Sequence, residues 1–98
     1  MKIEKNLNGK ELIVVLEGRL DTISAPALEA EMKSSINDID SLIFDFKGIE
    51  YISSAGLRVL LSCQKIMNKQ GRMVLRGVNE VVQEIFEVTG FIDILTIE

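Results

Sequence analysis

Two adjacent serines in "EYISSAGLRVLL", residues 50–61, are the residues best placed to do chemistry. Ser53-Ser54 stand where an apolar run gives way to leucines and valines at helical spacing. Three chemistries suit a serine at such a point. The first is structural: a serine before an apolar helix commonly caps it, a contribution of about 1 kcal/mol. The second is nucleophilic. A nucleophile elbow requires glycine two residues ahead of the serine, and Ile52 occupies that place before Ser54. It also requires a base, and the chain has no histidine. The third is acceptance of phosphate, because the free N–H groups and the dipole at a helix start favour negative charge. A phosphate would add about −1.5 to −2 charges to a surface loop. Hydrolysis drops out for want of a base, and the other two readings are compatible. A serine at this point suits the cap, the phosphate acceptor, or one of the pair for each.

Composition narrows the remaining functions. Ninety-eight residues, 47% hydrophobic and 27% charged, suit one globular domain over residues 1–98. A net charge of −4 with no long run of Lys or Arg argues against a nucleic-acid partner. With no histidine and only Cys63, neither a structural zinc site nor an intrachain disulfide is available. No cofactor is expected. Cys63, inside an amphipathic stretch, reads as a small buried hydrophobe. The opening MKIEKN has no long apolar core, and no apolar run approaches the roughly 20 residues of a membrane span. The expectation is a cytoplasmic protein without membrane insertion.

The serines need elements to position them. Residues 2–6 alternate weakly, and Asn8-Gly9 is a hairpin signal, so a β-hairpin opens the chain. "LIVVLEG" reads as a central strand buried on both faces and ended by Gly18. "APALEAEMKSSI" places Ala25, Leu28, Met32 and Ile36 at helical spacing, with Ser24 as N-cap and Pro26 in the first turn. "SLIFDF" is a second buried strand leaving at Lys47-Gly48, and "KGIEYISSAG" is the connection after it. The next helix carries Leu57, Leu60, Leu61 and Met67 as a stripe, with Cys63 and Ile66 beside it and Gly71 as its C-terminal cap. "RMVLRGV" is a short strand. Asn79 then caps a helix whose Val82, Ile85 and Phe86 face inward, Gly90 stops it, and a short strand closes the chain within residues 91–98.

The order β-β-α-β-α-β-α-β predicts an α/β domain with a mixed sheet, parallel among its later strands. If strands add in order to one edge, the helices are layered mainly on one face. Sites in open α/β sheets gather beyond the carboxyl ends of the strands. "GRLDTISAP" and "KGIEYISSAG" both leave such ends, which would bring Asp21 near Ser53-Ser54. Gly56, an unfavourable residue early in a helix, marks either tight packing within the fold or close approach by another backbone. Ala55 and an edge of Leu57 could form a docking patch, with Arg58 solvated beside it.

"EGRLDTISAPALEAEM" followed by "LIFDFKGIEYISSAGLRVLLSCQKIM" resembles the STAS domains of anti-sigma-factor antagonists. The resemblance runs from the first hairpin to the last helix. It is the pairing of G-R-L-D…A-P with S-S-A-G-L-R-V-L that makes it specific. It implies a mixed sheet with helices layered on it, and a function by partner switching. The unphosphorylated protein would bind an anti-sigma factor that is also a serine kinase, and so free a sigma factor. Phosphorylation at Ser54 would release it, and a PP2C-type phosphatase would reset it. Asp21 matches the acidic residue of the family's loop after the second strand, a place for kinase recognition or electrostatic switching. Thr22, Ser53, Ala55, Gly56, Leu57 and Arg58 complete the expected partner-binding set. Many members carry Asp immediately before the phosphoserine. This chain has Ser53 there, which leaves Ser53 as an alternative acceptor. Asp45 matches the family's strand-end pattern and also reads as a loop-capping carboxylate. The alternative function is a non-switching STAS subunit or scaffold of a transporter or signalling assembly.

Overall fold

The opening hairpin follows from its turn. β1 (Lys2–Asn8) and β2 (Glu11–Leu20) pair antiparallel with Asn8 opposite Glu11, and Gly9 takes a positive φ of 64° between them. The computed structural model describes all residues from Met1 to Glu98. After the hairpin come α1 (Ala25–Ser35), β3 (Ser41–Ile52), α2 (Ser54–Gln70), β4 (Arg72–Arg76), α3 (Glu80–Thr89) and a 3-10 turn at Phe91–Asp93. The sheet runs β1-β2-β3-β4, and β2/β3 and β3/β4 are parallel. This is the expected mixed α/β sheet.

One core of 24 residues joins the inward side chains of the sheet to all three helices. Leu12, Val14 and Leu16 of β2 belong to it, whereas Ile13 and Val15 point the other way and stay half-buried. The expectation that β2 is buried on both faces is therefore corrected. Strand side chains alternate between faces, and the helices cover one of them. The buried positions of α1 are the expected Ala25, Leu28 and Met32, followed by Ile36. In α2 the buried stripe includes Leu57, Leu60, Cys63 and Met67, but Leu61 is half-buried and Ile66 is exposed. Val59 and Gln64 are buried instead. In α3, Val82 and Phe86 are buried and Ile85 is half-buried. Phe86 packs its ring 6.5 Å from that of Phe46.

Both central strands outrun their expected ends. β2 continues past Gly18 to Leu20, and β3 continues past Lys47-Gly48 to Ile52. Bulges explain the difference. The β2/β3 register shifts between Val15 and Glu17 and again between Gly18 and Arg19, then resumes with Arg19 opposite Tyr51 and Leu20 opposite Ile52. A bulge re-aims a strand without ending it. Asp45, at the first bulge, accepts the backbone N–H of Lys47 at 3.0 Å, which is the loop-capping role.

The helix ends divide. Asn79 caps α3 as expected, accepting the Val82 N–H at 2.8 Å, and it donates to the Ile49 carbonyl at 2.8 Å. Gly90 ends α3 in the left-handed region at φ 80°, where a side chain would be strained. Gly71 stands at the C-cap of α2. Ser24 and Ser53 occupy the N-cap positions of α1 and α2, but neither hydroxyl makes a capping bond. The closing strand is reduced to a single parallel bridge, Ile97 beside Leu75 on the outer edge of β4. Leu75 N–H donates to Thr96 and Glu98 N–H returns to Leu75, both at 2.9 Å.

Candidate functional site

Parallel pairing of β2 with β3 brings two connections together. Leu20 and Ile52 are register partners at the strand ends, so Asp21 and Ser53 leave the sheet side by side. A backbone bond locks them: Ser53 N–H donates to the Leu20 carbonyl at 2.9 Å. The expected proximity of the Asp21 loop to the serine pair is met by residues 32 positions apart in the chain.

The Asp21 loop is self-braced. Asp21 Oδ1 accepts the backbone N–H groups of Ile23 at 3.0 Å and Ser24 at 3.1 Å. The Ser24 hydroxyl accepts the Asp21 N–H at 2.9 Å and donates to the Arg19 carbonyl at 2.6 Å. That explains why Ser24 does not cap α1: its oxygen is committed to the loop before it. The bond from Ser24 N–H, opposed by burial and joined by the Ile23 N–H, the Ser24 hydroxyl and the charge of Arg19, holds the Asp21 carboxyl below its ordinary 3.8. Asp21 is thus a fixed negative charge at neutral pH. Arg19 lies 3.9 Å from Asp21 Oδ2 and stacks its guanidinium 4.7 Å above the Tyr51 ring.

The two serines are not equivalent. The Ser53 hydroxyl is buried without a hydrogen-bond partner. Ser54 opens α2 and is exposed. Because Ser53 caps nothing, the N–H groups of the first turn of α2 have no side-chain partner. Arg58 is exposed four residues beyond Ser54, on the same face of the helix.

Gly56 is buried, and a Cβ there would lie 2.7 Å from Leu20 Cγ, 2.8 Å from Ile52 Cγ1 and 2.9 Å from the Leu20 carbonyl oxygen. Of its two readings, tight packing within the fold is the one realised: the glycine seats the start of α2 on the strand ends. Leu57 is only 6% exposed, so it offers no docking edge. Of the expected set Thr22, Ser54 and Arg58 are exposed, and Asp21, Ser53 and Ala55 are half-buried. Thr22, Ala55 and Arg58 share the wall of a groove of about 320 Å³ between α1 and α2, together with Ala25, Pro26 and Val59.

One surface residue escaped the sequence reading. Ile23, at the tip of the Asp21 loop, is 90% exposed. Its signal was its place two residues after an aspartate whose carboxylate turns the chain back on itself. Such a turn throws the intervening side chains outward. No group of three or more Cys, Asp or Glu side chains converges to hold a metal. Burial, and secondarily the charge of Glu29, pushes the Cys63 thiol up to about 12, so it is not a nucleophile at neutral pH. No helix is long and apolar enough to cross a membrane.

Comparison with known proteins agrees with this geometry. The STAS domain family model matches residues 2–98. BtrV of Bordetella bronchiseptica, by name a candidate anti-sigma factor antagonist, is 34% identical over 99% of this chain and 85% of its own. The anti-sigma-B factor antagonist of Bacillus subtilis is 28% identical over 99% of this chain and 90% of its own. Among solved structures, an anti-sigma factor antagonist from Mycobacterium paratuberculosis superposes with a TM-score of 0.88 at 20% identity, covering 98% of this chain and 83% of that one. The Bacillus cell fate determinant SpoIIAA in its phosphorylated form gives 0.77 at 16% identity, covering 99% of this chain and 91% of that one. The family model spans almost the entire chain, and the chain belongs to the STAS domain family.

Proposed function

We propose that this chain is an anti-sigma-factor antagonist, a cytoplasmic binding module without catalytic activity, and that phosphorylation of Ser54 switches its partner. The observation that carries this reading is the contrast between the serines. Ser54 is exposed at the start of α2, and the hydroxyl of Ser53 is buried. That contrast in access supports Ser54 over Ser53 as the acceptor. The names of the full-length relatives support the same class of function.

The chain supplies one atom to the chemistry. Ser54 Oγ attacks the γ-phosphorus of ATP held by the partner kinase, the bond to ADP breaks, and the hydroxyl proton passes to a base of that kinase. A PP2C-type phosphatase reverses the modification with water. The helix start, with its uncapped N–H groups, and Arg58 one turn on accommodate the phosphate while the protein is free. In the complex the same charge must lose its water beside the fixed carboxylate of Asp21. Moving a population from 1:99 to 99:1 takes about 5.5 kcal/mol of differential affinity. Burying an uncompensated charge costs several kcal/mol, which is the right order. Thr22, Ile23, Ala55 and Arg58 form the surface that the partner covers when Ser54 is unphosphorylated.

The test pairs the purified chain with the anti-sigma factor encoded in the same cell. Incubation with ATP should place one phosphate on Ser54 by mass spectrometry. Ser54→Ala should abolish labelling and keep binding, and Ser54→Asp should weaken binding by at least tenfold. Labelling of Ser53, or equal affinity for all three proteins, would overturn the switch. Equal affinity would leave a constitutive STAS subunit in its place.

A further inference from the structure

The negative charge of this protein is concentrated in its last quarter. Residues 77–98 contain no Lys or Arg and carry five carboxylates: Glu80, Glu84, Glu87, Asp93 and Glu98. Residues 1–76 hold all eleven cations against ten carboxylates. Glu98 pairs with Arg76 at 3.2 Å, but Glu80, Glu84 and Glu87 make no ion pair. They stand at i, i+4 and i+7 on α3, where like charges repel, and Glu87 lies in the last turn, the wrong end of the dipole for a carboxylate. Glu80 is favoured by the start of the helix, but no cation pairs with any of the three.

Beside it runs an apolar stripe of which only Ile85 reaches the core, and that in part. Val82 and Phe86 bury the inward side of α3. Val81, Ile85 and Val88 fall within about 60° of arc, between that buried side and the glutamates. Val81 is 54% exposed and Val88 77% exposed, with Ile85 half-buried. Exposed valines are also poor helix formers. An apolar stripe edged by unpaired carboxylates is half of an amphipathic contact.

We propose that the outer side of α3 is a docking surface for a Lys/Arg-rich amphipathic helix of a protein partner. Its apolar side chains would cover Val81, Ile85 and Val88, and its cations would meet Glu80, Glu84 and Glu87. Charge complementarity selects this occupant. A second copy of the chain would set glutamates against glutamates. A membrane-surface helix carries cations, not carboxylates, on its polar face. The surface lies on a different element from Ser54, and the inference does not depend on the phosphorylation switch.

The test titrates the purified chain, isotopically labelled, with a synthetic 18-residue helical peptide bearing leucines along one face and lysines beside them. A control peptide replaces every lysine with glutamate. Amide shifts confined to residues 80–94, and affinity falling steeply with salt, are expected for the lysine peptide alone. Val88→Ser and the double variant Glu84→Lys/Glu87→Lys should each weaken binding about tenfold, with circular dichroism confirming an intact fold. Ser54→Asp should leave the affinity unchanged. Shifts that map to the groove between α1 and α2, full affinity in Val88→Ser, or equal binding of the glutamate peptide would overturn the proposal. So would sedimentation showing that the chain self-associates through α3.

Discussion

Replacing Gly56 with alanine separates helix propensity from packing at the candidate site. Propensity alone favours the substitution by up to about 1 kcal/mol. Packing opposes it. The added methyl would stand 2.7 Å from Leu20 Cγ and 2.8 Å from Ile52 Cγ1, where ordinary carbon contacts are about 3.5–4.0 Å. Both neighbours are essentially buried, at 0% and 1% exposure, so neither side chain has room to swing aside. The third contact, 2.9 Å, is the Leu20 carbonyl that also accepts the Ser53 N–H. Relief requires the start of α2 to lift by about 1 Å from the strand ends, since that is the shortfall from a normal contact. Overpacking of this kind costs about 1–3 kcal/mol. After the full propensity gain, the net loss is up to about 2 kcal/mol. For a domain of this size each kcal/mol moves Tm by about 4–8 °C, so Tm should fall by up to about 16 °C in a thermal melt. A Tm above that of the wild type would refute the wedge and leave propensity in control. The lift also moves Ser54 away from the Asp21 loop, so partner binding should weaken in parallel.

Three further outcomes follow from the same geometry. Ser53→Ala should leave Tm unchanged or raise it, because it removes a buried hydroxyl with no partner; a fall of more than about 5 °C, the size of a lost cap, would show that the hydroxyl caps α2 after all. Asp21→Asn should be less stable than the wild type at pH 7. The folded carboxyl titrates below its ordinary 3.8, so its stabilisation is complete above the unfolded value and is lost as pH falls through the folded one. The gap in Tm should therefore narrow as melts are taken from pH 7 to progressively below 3.8, and a gap independent of pH would contradict the fixed-charge role. Cys63, with its thiol near 12, should resist a disulfide exchange reagent at pH 8 in the native protein and react once in urea, whereas prompt native labelling would mean that the packing around this buried side chain opens in the native state.

Much of the molecule was legible in its residue order. The hairpin at Asn8-Gly9, the inward positions of α1, the Asn79 cap and the stop at Gly90 are local signals, each a matter of turn chemistry, period or backbone freedom within a few residues. The lack of histidine removed Ser-His and Cys-His pairs from consideration before any fold was known. Tertiary structure decided what depends on residues far apart. The lengths of β2 and β3 were misread because bulges, which exist only in a pair of strands, carry the ladder past Gly18 and Gly48. One-sided burial of β2 came from the placing of the helices, which no window of the strand itself records. The serines illustrate the division best. Their positions at a helix start were plain from spacing, yet adjacent identical side chains differ in fate. The register of Leu20 with Ile52 turns the Ser53 hydroxyl into the interior and leaves Ser54 in solvent beside a braced aspartate. Spacing along the chain set which residues could meet, and the parallel pairing of β2 with β3 determined which hydroxyl faces solvent.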